Sequence, residues 1–325
     1  MALLIGYGYD RLNYRNFYKQ IFFMHSLTPS YIDTYSNGLL EGRINKLYGI
    51  LEKCSLCPHK CRALRLEGKK GICLSSDKVS VSSAMPHFGE ETPLVGRGGS
   101  GTIFFMNCNL RCVFCQNYNI SHQSKGNEVS IERLAEFMLY LQGVGCLNIN
   151  LVTPTQYAPQ IVSALAIAIP MGLNVPLVWN CGGYESVEVL KLLDGIVDIY
   201  MPDVKFGDSE NAMRFSQASN YFENLQLVLK EMHRQVGDLE MDDNNIAMRG
   251  LLVRHLVMPG GIAKSMNILK FIAQDISPHT YVNIMDQYRP AFKAFKYPNL
   301  NRRISSEEYE MVAQNSRKVG LSRGF

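Results

Sequence analysis

Apolar and polar positions from Thr102 onward alternate between strand-like and helix-like patterns. Short runs rich in β-branched and aromatic residues are each followed by a segment of helical periodicity. The predicted strands span residues 102–107, 147–152, 175–180, 196–201, 251–257 and 280–285. The predicted helices span residues 130–142, 157–169, 185–193, 220–235 and 262–274. Repeated strand–helix units with parallel strands predict an α/β fold, a partial (β/α)6 barrel, with a doubly wound sheet as the alternative.

The flanking segments carry weaker patterns. They predict a helix over residues 39–53, a short strand over 79–85, a flexible glycine-rich entry over 96–101, an acidic loop over 237–245 and a final helix over 305–318. The predicted division is an extension over 1–23, a cysteine-rich N-terminal module over 24–100, the barrel over 101–289 and a C-terminal tail over 290–325. Met24 could be the true start of translation, in which case the extension is not native.

Three cysteines, Cys108, Cys112 and Cys115, follow the first predicted barrel strand directly. Their spacing is Cys-x3-Cys-x2-Cys, which suits one compact metal centre better than disulfides. A cuboidal four-iron cluster normally takes four thiolates, so three leave one iron open to a ligand from outside the protein. A structural zinc loop is the alternative, but a fourth ligand is missing nearby.

Four further cysteines, Cys54, Cys57, Cys61 and Cys73, lie close together in the N-terminal module. Four thiolates complete a tetrahedral site and leave no open position. We therefore predict a closed structural or electron-relay site that holds zinc or a second iron–sulfur cluster. His59 lies between these cysteines and is expected to be a surface residue rather than a ligand.

Composition narrows the class of protein. The net charge of +4 is too small to argue for a nucleic-acid partner. Seven of the nine cysteines fall in the two groups above, which indicates a reducing compartment, the cytoplasm. Residues 137–184 contain no charged side chain, but prolines and glycines break this stretch into pieces too short to span a bilayer. No membrane association is predicted.

The cysteine spacing, with Phe114 as the aromatic residue before Cys115, resembles the motif of the radical S-adenosylmethionine superfamily. The resemblance covers roughly residues 101–288. It implies a [4Fe–4S] cluster on Cys108, Cys112 and Cys115, with Phe114 beside the bound cofactor. It also implies reductive cleavage of S-adenosylmethionine to methionine and a 5′-deoxyadenosyl radical, which abstracts a hydrogen atom from the substrate.

Polar residues stand where the predicted strands end, the place where such barrels carry function. Asp203 and Lys205 share one face by alternation and resemble the Asp-x-Lys pair of glycyl-radical-enzyme activases. This implies that Lys205 is a counter-ion for the cofactor carboxylate, although such a pair is usually a surface salt bridge. The resemblance also implies that Asn180 and Arg254 hold the cofactor. His255 faces the other way and is expected to be structural.

Three strand ends depart from the family pattern or carry no assigned role. The turn Thr153-Pro-Thr155 replaces a Gly-Gly-Glu-like turn, so either its backbone binds the cofactor or it is a plain turn. Cys181 is expected to be a small buried residue, with participation in radical chemistry as the alternative. Residues 286–289 could line the substrate opening.

The chain most resembles the relatives of the pyruvate formate-lyase activating enzyme, including a branch with a cysteine-rich N-terminal module. This resemblance implies that the substrate is a glycine of a partner enzyme and that the electron donor is a flavodoxin or ferredoxin. One alternative is a radical enzyme that modifies a small molecule or RNA. Another is a non-catalytic metal-binding or electron-transfer protein, which the repeated units and polar strand ends disfavour.

Overall fold

One sheet organises the part of the chain that the computed structural model describes, residues 28–123 and 126–324. Its strands are β1 (Val79–His87), β2 (Ser100–Phe105), β3 (Asn127–Val129), β4 (Ile149–Val152), β5 (Leu177–Cys181), β6 (Ile199–Val204), β7 (Glu240–Met241), β8 (Ala247–Leu256) and β9 (Tyr281–Met285). Their order is β3-β1-β2-β4-β5-β6-β8, and β7 and β9 both pair with β8. The predicted extension over 1–23 lies outside the described residues.

Six strands, β2, β4, β5, β6, β8 and β9, run parallel, each beside the next one in this series. A doubly wound sheet reverses its strand order at a switch point, and this series does not. The predicted partial (β/α)6 barrel is therefore confirmed. Its six strands overlap those expected from the sequence, with bounds shifted by a few residues.

Helices connect the parallel strands and flank them. In chain order they are α1 (Ser30–Ser36), α2 (Leu40–Glu52), α3 (Thr92–Val95), α4 (Tyr118–Ser121), α5 (Ile131–Gly143), α6 (Ala158–Ala168), α7 (Val187–Leu192), α8 (Ser209–Ser216), α9 (Tyr221–Val236), α10 (Ser265–Phe271) and α11 (Ser306–Lys318). Short 3-10 turns lie at Arg65–Glu67, Thr155–Tyr157, Pro259–Gly261, Ala294–Lys296 and Pro298–Leu300. The predicted helices all form, and the sequence pattern did not indicate four others, α1, α3, α4 and α8.

Residues of α3 fill the concave side of the sheet. Leu94 packs with Val178, Ile199 and Leu252 in a small apolar cluster. These strand residues alternate with Trp179, Tyr200 and Leu251, which belong to the larger core on the helix side. The loop between β1 and β2 thus enters the barrel and carries Glu90 and Glu91 with it.

The structure corrects two local predictions. The expected flexible entry over 96–101 is closely packed, since a Cβ on Gly98 would lie 2.0 Å from the carbonyl oxygen of Gly145. Ser100 and Gly101 already belong to β2 and are buried. The expected loop over 237–245 contains β7, because Glu240 pairs with Arg249 on β8.

The predicted C-terminal tail packs against the barrel. Ala294, Leu300 and Leu321 are fully buried. The helix α11 begins with a capping box, in which the Ser305 hydroxyl accepts from the Glu308 N–H and the Glu308 carboxylate accepts from the Ser305 N–H. Among the helices of residues 28–123 and 126–324, none has the length and apolar character that crossing a bilayer requires.

His255 is structural, as expected from alternation along its strand. Its Nδ1–H donates to the Val204 carbonyl at 2.7 Å, and its Nε2 accepts from the Ser265 hydroxyl at 2.8 Å. Burial lowers the pKa of His255 to about 4, so the folded protein holds this ring neutral.

This burial predicts an acid-sensitive contribution to folding. An unfolded His binds a proton below its ordinary pKa of about 6.5, whereas folded His255 resists protonation until about pH 4. Stability should therefore fall by roughly 2 kcal/mol between pH 7 and pH 5. Denaturant unfolding of the wild type and of His255→Gln at both values checks this. An equal loss in the variant would contradict the assignment.

Candidate functional site

The cysteine loop, residues 106–116, leaves the carboxyl end of β2 and is anchored by backbone hydrogen bonds to distant segments. The N–H groups of Arg111 and Val113 donate to the carbonyls of Ser216 and Phe215 at 3.0 and 2.8 Å. The Val113 carbonyl accepts from the Lys293 N–H at 2.8 Å. The fold therefore positions the three cysteines of the loop, Cys108, Cys112 and Cys115, through the backbone.

The protein surrounds these thiols with little charge to stabilise a thiolate. Burial raises the pKa of Cys112 to about 11 and raises the pKa of Cys108 well above its ordinary value. Lys205 acts against both shifts, and the Ser216 hydroxyl lies 3.0 Å from the Cys112 sulfur. A bound metal deprotonates the thiols that coordinate it, even where burial has raised their pKa values. Metal ligation is therefore compatible with this buried environment.

Asp203 bridges two cations at the carboxyl end of β6. Its Oδ2 lies 2.6 Å from the Lys205 Nζ, and its Oδ1 accepts from the Arg254 Nε at 2.7 Å. Arg254 stands opposite Asp203 in the parallel pairing of β6 with β8, which explains the contact. Burial opposes ionisation of Asp203, but Arg254 and Lys205 outweigh it and keep its pKa below the ordinary value. The pair predicted as Asp203 and Lys205 is thus part of a partly buried network of three charges.

Sequence reasoning missed two members of this network, Glu90 and Glu91. Each places an Oε2 atom 3.5 Å from the Arg254 Nη1. Burial raises the pKa of Glu90, and Arg254 opposes this rise. A buried arginine in an apolar strand needs an acidic partner. The two consecutive glutamates, Glu90 and Glu91, were therefore the sequence feature that could have predicted this contact. Their separation from Arg254 along the chain hid the contact.

Asn180 and the turn after β4 lie beside the network. The Asn180 Oδ1 accepts from the Arg254 Nη2 at 2.8 Å, and its carbonyl accepts from the Thr153 N–H at 2.8 Å. Thr153 has a φ of +60°, an unusual conformation for a β-branched residue, and the Gln156 side chain donates to its carbonyl at 2.9 Å. The turn is therefore held in a fixed, strained shape.

Other residues predicted near the cofactor are mainly packing elements. The ring of Phe114 lies 6.0 Å from those of both Phe206 and Tyr288. Cys181 is buried, and burial raises its pKa well above the ordinary value, as expected for a packed thiol. Of residues 286–289, Gln287 lies at the cavity, whereas Tyr288 is buried and donates to the Leu300 carbonyl at 2.7 Å.

The N-terminal module lies against the cysteine loop, and this corrects the expectation for His59. That ring is partly buried, donates from Nε2 to the Asn109 carbonyl at 2.8 Å and meets the Tyr184 ring edge-on. Asn109 is the residue after Cys108. His59 is therefore a contact between the two groups of cysteines rather than a surface residue.

One cavity of about 400 Å³ collects the predicted site residues. Its walls include all eight of them, Cys108, Cys112, Phe114, Cys115, Asn180, Asp203, Lys205 and Arg254. Glu90, Thr153 and Gly182 line it as well. A volume of this size matches small-molecule sites in general. The sequence thus indicated eight residues that share one cavity.

Comparison with known proteins identifies the barrel. A family model described as the Radical SAM superfamily matches residues 102–240, from β2 to β7. The chain belongs to the radical SAM superfamily. An uncharacterized protein of Methanocaldococcus jannaschii, MJ0674, is 33% identical over 293 residues, which are 87% of this chain and 80% of that protein.

Two solved structures of radical SAM enzymes are distant neighbours of this barrel. The structure of TYW1 with a lysine-pyruvate adduct bound has a TM-score of 0.42 at 12% identity, over 65% of this chain and 70% of its own. The structure of Streptococcus suis SuiB bound to the precursor peptide SuiA has a TM-score of 0.46 at 10% identity. That match covers 67% of this chain and 46% of SuiB.

The radical SAM cavity has the donor set for the group that the superfamily uses, a [4Fe–4S] cluster. Cys108, Cys112 and Cys115 supply three thiols to one space, and Lys205 is a nearby cation. In residues 28–123 and 126–324, no three His, Cys, Asp or Glu side chains are placed to hold one common ion. A four-iron cluster with one open iron takes three thiolates, which matches the three cysteines that line this cavity.

Proposed function

We propose that this radical SAM enzyme takes a hydrogen atom from a glycine of a partner protein, in the manner of glycyl-radical-enzyme activases. Cys108, Cys112 and Cys115 would hold the [4Fe–4S] cluster that the superfamily uses, and that cluster would supply the one electron needed to cleave the carbon–sulfur bond of S-adenosylmethionine to methionine and a 5′-deoxyadenosyl radical. The observation that carries the proposal is the placement of the cysteine loop and the Asp203 network in one cavity.

The residues of the cavity have distinct tasks in this proposal. Lys205 has three N–H donors, and Asp203 takes one, so the ammonium group can also bind the cofactor carboxylate. Asp203 and Asn180 hold Arg254, which keeps a positive charge on the same wall. The fixed turn at Thr153 forms part of the same wall. These groups orient the cofactor and replace water around its charged end.

Glycine as the target rests on two features. The Asp203-x-Lys205 pair at the end of β6 resembles the activases, and the barrel is open along one side, which admits a loop of a large partner. Phe88 supports a protein partner, because its ring is 63% exposed and adjoins Gly89 and Glu90, which line the cavity. An exposed aromatic ring at a cavity rim suits a protein contact. A reduced flavodoxin or ferredoxin is the proposed donor, and the nine free cysteines suit the cytoplasm.

Electron paramagnetic resonance tests the proposal directly. Reduced, cluster-loaded protein is mixed with S-adenosylmethionine and each candidate glycyl-radical protein of the host. The expected result is a protein-based doublet with coupling to a glycine α-hydrogen, because the abstracted hydrogen leaves the spin on the α-carbon.

Two controls separate the substrate from the radical chemistry. Phe88→Ala should lower the yield of the doublet at limiting partner, yet leave 5′-deoxyadenosine formation without partner unchanged. The triple replacement of Cys108, Cys112 and Cys115 should remove both signals. If no candidate gave the doublet while a small molecule drove stoichiometric 5′-deoxyadenosine release, the glycine target would be wrong and the radical chemistry would stand.

A further inference from the structure

The four cysteines of the N-terminal module line one small space between the module and the barrel. A hairpin closed by hydrogen bonds between Cys54 N–H and Ala63 carbonyl (3.1 Å) and between Arg62 N–H and Cys54 carbonyl (2.9 Å) carries the first three. A turn closed from Leu74 N–H to Gly71 carbonyl (2.9 Å) carries the last. The cysteines are Cys54, Cys57, Cys61 and Cys73.

Glycine is required where the hairpin and the turn meet. A Cβ on Gly71 would lie 2.7 Å from the Cys61 sulfur and 3.9 Å from the Cys73 sulfur. Because Gly71 has no side chain, the Cys61 sulfur of the hairpin and the Cys73 sulfur of the turn can both lie beside it.

Arg65 is a fully buried cation beside this space, and it has no carboxylate partner in the described part of the chain. Its Nε donates to the Ser76 carbonyl at 3.0 Å, and its Nη2 donates to the Gln156 carbonyl at 2.7 Å. Its Nη1 lies 3.9 Å from the Cys54 sulfur. An arginine cannot give up its proton, and a buried charge without a counter-charge is costly. Of the groups that these contacts join to Arg65 in the described part of the chain, the Cys54 thiol is the one that can become negatively charged.

We infer that Cys54, Cys57, Cys61 and Cys73 bind a thiophilic metal centre whose negative charge is balanced by Arg65. The negative charge of four thiolates exceeds the positive charge of either a zinc ion or a four-iron cluster. Either centre would therefore be negatively charged overall, and Arg65 would balance part of that charge. The space is about 10 Å³, close to the volume of one ion, and the four thiols of the described chain line it without converging on one point. The inference rests on the charge, which is common to both centres, and it is independent of the proposed substrate.

The same centre would support the cysteine loop of the barrel. His59, between Cys57 and Cys61, donates to the Asn109 carbonyl at 2.8 Å. Gln156, whose backbone binds Arg65, donates from Nε2 to the Met106 and Asn107 carbonyls at 3.2 and 3.3 Å. A metal that orders the module would therefore also help to hold Met106, Asn107 and Asn109, which precede Cys112 in the cysteine loop.

Metal analysis of the full chain tests the site. The triple variant Cys108→Ala/Cys112→Ala/Cys115→Ala, purified without oxygen and reconstituted with iron and sulfide or with zinc, should retain a metal. About four irons with matching sulfide identify a cluster, and about one zinc identifies a single ion. Adding Cys57→Ser should remove that metal, whereas adding Cys146→Ser, a buried cysteine outside both groups, should not. A metal-free triple variant together with a wild type that holds only one cluster would overturn the inference.

Arg65 has its own test, with zinc as the probe and a chelator as competitor. In the triple variant background, Arg65→Met should weaken zinc binding by about tenfold or more, because a charge-assisted contact is lost. Removing the metal with a chelator should lower the melting temperature of both proteins. The decrease should be smaller for Arg65→Met than for its parent, because the metal-free parent buries an unpaired charge and the metal-free variant does not. Arg65→Lys, which keeps the charge, should remain close to the parent in zinc affinity. Equal affinity and equal chelation shifts in parent and Arg65→Met would refute the role of Arg65.

Discussion

Replacing Cys108, Cys112 and Cys115 together by alanine is expected to abolish cleavage of S-adenosylmethionine. The three thiols line one cavity. Among the described residues, the one other cysteine that lines this cavity is Cys181, which is buried at the end of its strand. Without them, no ligand remains to hold a four-iron cluster with an open iron. Release of 5′-deoxyadenosine by the reduced protein, measured by chromatography, should fall to the background without protein.

A matched control is Cys181→Ala, because it removes a buried thiol from the same cavity without removing a ligand. This variant should keep its cluster and continue to release 5′-deoxyadenosine. Circular dichroism should show that the triple variant remains folded, since backbone hydrogen bonds hold the loop. Cleavage by the folded triple variant, whatever metal its N-terminal module retains, would disprove the ligand assignment.

Removing Arg254 is expected to destabilise the fold by about 3–5 kcal/mol, because it leaves buried carboxylates without a counter-charge. Arg254 contacts Asp203 at 2.7 Å and both Glu90 and Glu91 at 3.5 Å. Denaturant unfolding of Arg254→Ala should reveal this loss. Glu90→Gln added to Arg254→Ala should recover part of the stability, since one of the stranded carboxylates is neutralised.

Lys205→Ala provides the contrast to Arg254→Ala. Lys205 contacts Asp203 alone among the carboxylates of the network, and Asp203 retains Arg254 when the lysine is removed. The expected effect is on cofactor affinity, weakened by about 1.5–3 kcal/mol for one charge-assisted hydrogen bond. Equilibrium binding of S-adenosylmethionine to cluster-loaded protein measures it. Normal affinity in Lys205→Ala at normal iron content would remove Lys205 from the binding site.

The barrel follows from local sequence patterns, and eight residues of its cavity were indicated by their positions at strand ends together with the family resemblance. Each parallel strand is an apolar run next to a helical segment, and the carboxyl ends of such strands must meet at one edge. This is why residues as far apart as Cys108 and Arg254 could be assigned to one cavity. The helix α8 was missed because it is short and largely polar, so its pattern resembles that of a loop.

The contacts that the sequence did not indicate join segments without any shared periodicity. Arg254 and Glu90 are 164 positions apart, and His59 and Asn109 are 50 apart. Neither pair belongs to a repeated unit, and both depend on how an irregular segment folds back on the barrel. Such contacts depend on tertiary packing, which local propensity and spacing do not specify.

The anchoring of the cysteine loop has a consequence for biosynthesis. Val113 receives its hydrogen bond from Lys293, and Phe114 packs against Tyr288. Both partners are synthesised more than 170 positions after the loop. A ribosome must therefore complete nearly the whole chain before Cys112 and Cys115 reach their final places. We therefore expect the cysteine loop to reach its final, cluster-binding geometry late in synthesis, after the residues around Tyr288 and Lys293 have packed against it.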